Sequence, residues 1–495
     1  MQTKSISFIE QCLKRNDWHA LANLIDVNQT IQENTSHLIN TYTIKEFETI
    51  IFGLTKHIDL ILKEYEISSS NQSIEKQCIL AETILTQLIY DYDFIVYSAE
   101  NIDSLDIKKS YAYLERNIFK SMLNSIKKII RDNSLDEKLI ANLNNRFNNA
   151  RSCVQAVYYY NIILNAQPND IKSLYRYATT ISSITTFSLP KNKQDEYFSQ
   201  TKINNYFYRV NTAKNVLLKV LNIYDQKSLE EQKSLRKYYI KSLYNLITLL
   251  NDKCDFYFKD VKLFNYISNE QVVYLNLSPD VKTQLYNDLI LIYNSLKTLL
   301  AELNLPEKRL DEVIVYQIAK RNDLDIEPFY IYYRVGKVYE LFAKTAISNI
   351  KSINNADAFA RYVNNMLKAI DMYENVGDIK YQIKLFHKNT GGFIYELYQL
   401  GYCFSLLALN NPIYAEKLNS LFTKYSLKKG KRYTNLIDEL NYYKALTFIY
   451  NKHTQNIQTA INILKKLELI TKKNKNTKIL KKAQSLLTNI QENKI

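Results

Sequence analysis

Apolar residues recur with the period of a helix face along almost the whole chain, and polar residues fill the opposite face. Segments 8–25, 44–65, 74–97 and 107–130 carry such stripes, separated by short polar stretches such as 68–73. From about residue 137 the stripe becomes a repeat. Ile140, Leu143, Asn144 and Phe147 mark one helical face, and Ala156, Tyr160 and Ile163 mark a second helix that stops at Pro168. Leu174, Tyr177, Ala178 and Ile181 restart the first pattern 34 residues on. A lone helical pair cannot bury its apolar face, so successive pairs are expected to stack on one another. The predicted fold is all-α, a solenoid of antiparallel helical hairpins.

The second copy is split. Its first helix is read at 171–185, a polar, proline-containing stretch follows at 188–205, and Ala213, Leu217 and Val220 restore the second helix. An insertion at a hairpin loop is tolerated because loop-closure entropy grows slowly with length. Segments 235–250 and 281–303 continue helical around an ambiguous aromatic stretch at 256–274. Pro279 and Pro306 each precede a helical pattern. The repeat returns as Tyr332, Val335, Gly336 and Tyr339 followed by Tyr362, Met366 and Ala369. Leu397, Leu400, Gly401 and Phe404 come next, followed by Ala415 and Phe422, and then Tyr443, Leu446 and Tyr450 with Ala460, Leu464 and Leu467. A glycine inside a helix costs ~1 kcal/mol against alanine, so Gly336 and Gly401 are expected where two helices approach closely. The pattern divides the chain into a divergent helical region at 1–135, repeats at 136–305 with the insertion, and repeats at 306–495 with a basic end.

This 34-residue unit resembles the tetratricopeptide repeat, with about five copies over roughly half of the chain. The only tryptophan, Trp18, lies outside the clear copies. The resemblance implies a right-handed superhelix that holds a protein or peptide partner in its concave groove, without catalysis and without a cofactor. In members that hold acidic C-terminal tails, the carboxylate is gripped by Asn, Lys and Arg on successive first helices. Here Asn142 precedes Lys172 by 30 residues and Arg176 follows Lys172 by four, which matches part of that spacing. The upstream places hold Ile107 and Tyr111 instead. Asn142, Asn145, Lys172 and Arg176 are the candidate partner-binding residues; Lys172 and Arg176 share a helix face at i and i+4.

Composition narrows the alternatives. Seven glycines and six prolines in 495 residues are too few for sandwiches, barrels or phosphate-cradling loops. Cys12, Cys78, Cys153, Cys254 and Cys403 are isolated from one another, which speaks against zinc sites and disulfides and suits a reducing cytoplasm. No secretory signal or membrane-length apolar run is read. Of the net +15, +12 falls in residues 420–495, where 16 Lys and Arg face four acids. Lys428, Lys429, Lys431, Arg432, Lys472, Lys473, Lys475, Lys481 and Lys482 are therefore candidate phosphate contacts, with nucleic acid as the alternative partner and a plain solvated face as the blander reading. The 41 tyrosines include runs such as Tyr158–Tyr160 and Tyr330, Tyr332 and Tyr333, which either fill space between helices or present rings to a partner.

Catalytic or metal chemistry is not indicated. His19, His37, His57, His387 and His453 are scattered, and Asp91 and Asp93, at i and i+2, point to different faces. No Walker-type, GxGxxG or GxSxG motif occurs, and Asn389–Gly392 reads as a turn.

Overall fold

The computed structural model describes residues 2–68, 73–132, 135–188, 196–258, 279–306, 328–348, 356–386, 394–408, 411, 413–424, 431–450, 456–474 and 476–492. Among them every regular element is helical and no strand occurs, as the spacing predicts. The chain divides between Tyr238 and Tyr239 into two compact units.

The first unit holds α1 (Gln2–Arg15), α2 (Trp18–Ala22), α3 (Ile31–Thr41), α4 (Ile44–Ser68), α5 (Ile74–Asn101), α6 (Leu105–Asn117), α7 (Leu123–Asp132), α8 (Glu137–Arg146), α9 (Asn149–Ala166), α10 (Ile171–Ser188) and α11 (Glu196–Asp225), then the start of α12 (Leu229–Phe258). A π-helical turn, Ile118–Met122, joins α6 to α7. Three helices begin with the same device. Thr30 and Glu33 bond each other's backbone amides at 3.2 and 2.8 Å, and Thr43 with Glu46 and Ser228 with Glu231 repeat the arrangement. Each pair satisfies two amides that the first turn would leave unbonded.

Packing proceeds as a zigzag: α4 lies against α5 and α6, α6 against α9, α9 against α10, and α10 against α11. The fully buried Phe47, Leu54, Phe94, Leu114 and Tyr160 belong to one core running from Ile9 to Ile163. Burial of a large apolar side chain stabilises by roughly 1.5–3 kcal/mol, so this continuous core holds the stack together. One pairing differs from the repeat read at 137–170. Helix α9 packs chiefly on α6 and α10 rather than on α8. The reason is apolar area: α8 buries only Leu143, whereas α6 offers Ile107, Tyr111, Ala112 and Leu114.

The second unit takes the rest of α12, then α13 (Pro279–Glu302), α14 (Pro328–Ser348), α15 (Ala356–Phe386), α16 (Ile394–Ala408), α17 (Ile413–Lys424), α18 (Lys431–Tyr450), α19 (Ile457–Asn474) and α20 (Thr477–Gln491). Neighbours in sequence again pack together, with α14 on α15, α15 on α16, α16 on α17 and α18 on α19, and α16 also reaches past α17 to α18. Tyr332, Tyr362, Met366, Ala369, Leu400, Ala460 and Leu464 are fully buried, as their spacing predicts. Both glycines sit at close approaches. A Cβ on Gly336 would meet Tyr373 Cε1 at 2.6 Å, and one on Gly401 would meet Leu440 Cδ2 at 1.9 Å.

Charge is buried here in compensated groups. Lys253 and Asp288 are wholly enclosed and lie 2.7 Å apart. Lys337 contacts Asp255 at 2.7 Å and Glu340 at 3.1 Å, Lys344 contacts Glu340 at 2.5 Å, and Tyr373 donates its hydroxyl to Glu340 at 2.9 Å. Burial acts to raise the pKa of Glu340, but the two lysines outweigh it and hold the carboxyl below 4.5. Burial acts oppositely on Lys337, where Asp255 and Glu340 prevail and lift the ammonium well above 10.5. No helix among the described residues is long and apolar enough to cross a membrane.

Candidate partner-binding face

Two helices bring cations to one tyrosine of a third. The ring of Tyr113 on α6 has Lys56 of α4 4.1 Å from its centroid and the guanidinium carbon of Arg176 of α10 4.5 Å away. Lys56 also donates to the Tyr113 hydroxyl at 2.9 Å. Such contacts hold cations without neutralising them. Arg116, on the next turn of α6, donates from Nη2 to Thr179 Oγ1 at 3.2 Å, and its Nε is buried without a partner. Among the described residues neither Lys56, Arg116 nor Arg176 is ion-paired. Burial and, more weakly, the Asp59 carboxylate act to raise the Tyr113 phenol, yet hydrogen bonds from Lys56 and Asn117 and the charge of Lys56 more than offset them, leaving its pKa below 10.0. The π-turn at Ile118–Met122 follows directly, and such turns are frequent at functional sites.

The sequence candidates fall in three places. Arg176 joins the cluster, and Lys172 is exposed one turn earlier on α10. Asn142, on α8, accepts from Arg146 Nε at 2.6 Å, while Arg146 pairs with Asp93. Asn145 is exposed, and its carbonyl accepts from Arg151 at 3.4 Å. Ile107 and Tyr111 are core residues. Lys56, Tyr113 and Arg116 carry no signal in the sequence, because they converge only when α4, α6 and α10 lie side by side.

At the basic end, Lys428, Lys429 and Lys475 lie outside the described residues, as do the side chains of Lys431 and Arg432. Lys472 is exposed and pairs with Glu468 at 3.0 Å; Lys482 lies 3.8 Å from Glu439 and 5.6 Å over the Tyr442 ring. Lys473 and Lys481 are exposed. His387, His453 and Asn389–Gly392 also lie outside the described residues.

A second grouping departs from the expectation of scattered histidines. His57 Nδ1 lies 3.0 Å from Asp91 Oδ2, and its Nε2 lies 3.0 Å from His19 Nδ1. Asp91 and Asp93 do point apart, one to His57 and the other to Arg146. His57 also lines a cleft of about 630 Å³ between the 23–29 loop, α3, α4 and α5, with Asp26, Asn34, His37 and Gln87. Sequence separations of 38 and 34 residues hid the group, although a histidine inside the apolar stripe Leu54, Ile58 and Ile61 was its one visible trace.

No family model matches the chain, and no curated protein does. Among solved structures it is similar to a circular tandem repeat protein with novel repeat topology and enhanced subunit contact surfaces, at 11% identity over 98% of this chain and 87% of that one, with a TM-score of 0.22. A likeness that slight carries no topology or function across.

Proposed function

We propose that the chain is a non-catalytic scaffold of tetratricopeptide-like hairpins that holds a protein or peptide partner against α4, α6 and α10. The observation that carries this reading is the placement of Lys56 and Arg176 over the Tyr113 ring, with Arg116 one turn along α6, none of the three in an ion pair among the described residues. A scaffold side left cationic in this way suits a partner with acidic side chains, and Arg offers such groups two parallel hydrogen bonds. Lys172, exposed on the same helix, would extend the contact. Asn142 and Asn145 lie elsewhere, on α8, and are not part of the proposed face. The buried cysteines Cys12, Cys153, Cys254 and Cys403, none in a disulfide, fit a reducing cytoplasm.

The test is capture from native lysate on immobilised full-length chain, with and without nuclease, followed by titration of an acidic peptide. A partner that survives nuclease and binds at least tenfold more weakly to the Lys172→Ala, Arg176→Ala variant supports the scaffold. Unchanged affinity in that variant removes the assigned face.

A second reading takes the exposed Lys472, Lys473 and Lys481 as phosphate contacts of a nucleic-acid-binding regulator. Binding of that kind falls steeply with log salt and disappears from the capture on nuclease treatment.

A further inference from the structure

We propose that the corner where α6, α9 and α10 meet binds the dianionic phosphate of a phosphorylated side chain on the partner. The inference rests on the partner-face reading and narrows its acidic group to one chemistry. It starts from two buried polar atoms without hydrogen-bond partners. Arg116 Nε on α6 is one, and the hydroxyl of Tyr160 on α9, whose side chain is wholly enclosed, is the other. Burial pushes the Tyr160 phenol up to about 12, while the charges of Arg176 and Arg116 act the other way, so both guanidinium groups lie within range of that hydroxyl. Arg176 can bring only further donors to it. Buried donors in folded chains are rarely left unbonded, so this pair calls for an acceptor.

The surroundings supply positive charge and no acceptor. Arg176 lies over the Tyr113 ring, and Arg116 is anchored by its bond to Thr179 Oγ1, whose own hydroxyl is spent on the Arg176 carbonyl at 3.1 Å. Lys120, exposed on the π-turn, is close enough to Arg116 for the two charges to repel. None of these three cations is ion-paired among the described residues, and Asp59, the carboxylate whose charge reaches the Tyr113 phenol, stands on α4. An anion seated among them relieves the repulsion. A carboxylate brings one charge and two oxygens, whereas a phosphate monoester brings nearly two charges and three strong acceptor oxygens. Two guanidinium groups, an ammonium and a buried hydroxyl exceed what the first can satisfy and match the second, which an arginine fork engages through two parallel hydrogen bonds.

The experiment titrates the full chain by calorimetry with three probes: a glycine pentapeptide carrying one central phosphoserine, the same peptide with glutamate in its place, and inorganic phosphate. The expected result is that the phosphoserine peptide binds at least tenfold more tightly than the glutamate peptide and is displaced by inorganic phosphate. Arg116→Gln should abolish that preference. Tyr160→Phe, which removes only the hydroxyl and should leave the circular dichroism unchanged, should weaken the phosphoserine peptide at least threefold and the glutamate peptide little. Equal affinity for the two peptides overturns the phosphate assignment and leaves the acidic-partner face standing, whereas binding of neither peptide overturns both. A preference that survives in Arg116→Gln and Tyr160→Phe alike, or uptake of inorganic phosphate without the phosphoserine peptide, also overturns the assignment.

Discussion

Replacing Gly336 by alanine sets two effects of opposite sign against each other. Helix propensity favours alanine by ~1 kcal/mol at an interior position. Against it, the new Cβ would stand 2.6, 2.9 and 3.0 Å from three ring carbons of Tyr373. Ordinary carbon contacts begin near 3.5 Å, so the ring must retreat by roughly 0.9 Å. Tyr373 is not a loose side chain: it is fully buried, and its hydroxyl is bound to Glu340 at 2.9 Å. Overpacking of this kind costs about 1–3 kcal/mol, and stretching a buried hydrogen bond to a charged group adds about 1.5–3 kcal/mol. The clash wins, and Gly336→Ala should destabilise by about 1.5–5 kcal/mol. Hydrogen exchange of α14 and α15 peptides, alongside urea unfolding followed by circular dichroism, reads the loss. In a Tyr373→Leu background the obstacle is gone, and the same substitution should be neutral or stabilise by up to ~1 kcal/mol. If Gly336→Ala stabilises the otherwise unaltered chain, the close approach is not what keeps glycine there.

Asp288→Ala leaves Lys253 enclosed without its partner and should destabilise by about 3–5 kcal/mol, measured by chemical denaturation, whereas replacing both by apolar residues of similar volume should be close to neutral. The Glu340 carboxyl has a folded pKa below 4.5, so its contribution is present above that value and is lost as pH falls through the folded one. A pH series of unfolding midpoints should therefore show an acid-side loss in the parent that is missing in Glu340→Gln. Lys337 titrates higher in the folded chain than the ordinary 10.5, so its contribution is complete below 10.5 and is lost as pH rises through the folded value; a steeper alkaline loss in the parent than in Lys337→Met checks the sign. Thr30→Ala removes one arm of the α3 capping box and should cost about 1 kcal/mol, seen as faster exchange in the first turn of α3.

The helices were legible because their buried faces obey one local period. Tyr332, Met366, Leu400 and Leu464 are core residues whose spacing alone announces them, and the T-x-x-E and S-x-x-E starts at Thr30, Thr43 and Ser228 are equally local signals. The pairing of helices was less legible, since the spacing around Leu143 and Phe147 looks like a first helix while the length of apolar face decides that α6 packs on α9. Site geometry was least legible. Arg176 was found from its own helix, but Lys56 and Tyr113 meet it through the stacking of three helices, and His19, His57 and Asp91 meet across long sequence separations. Periodicity reports which face is buried; it carries no information on which polar residues of distant helices share a surface.

The most direct test of the partner face is site-specific photo-crosslinking in lysate, with the probe placed at Lys172 on α10 or at the exposed Tyr208 on α11. The account predicts that the probe at 172 captures a nuclease-resistant protein partner and that capture is lost when Lys56 and Arg176 are both replaced by alanine, while the probe at 208 captures none. Equal capture from both positions, or capture indifferent to Lys56 and Arg176, would contradict it.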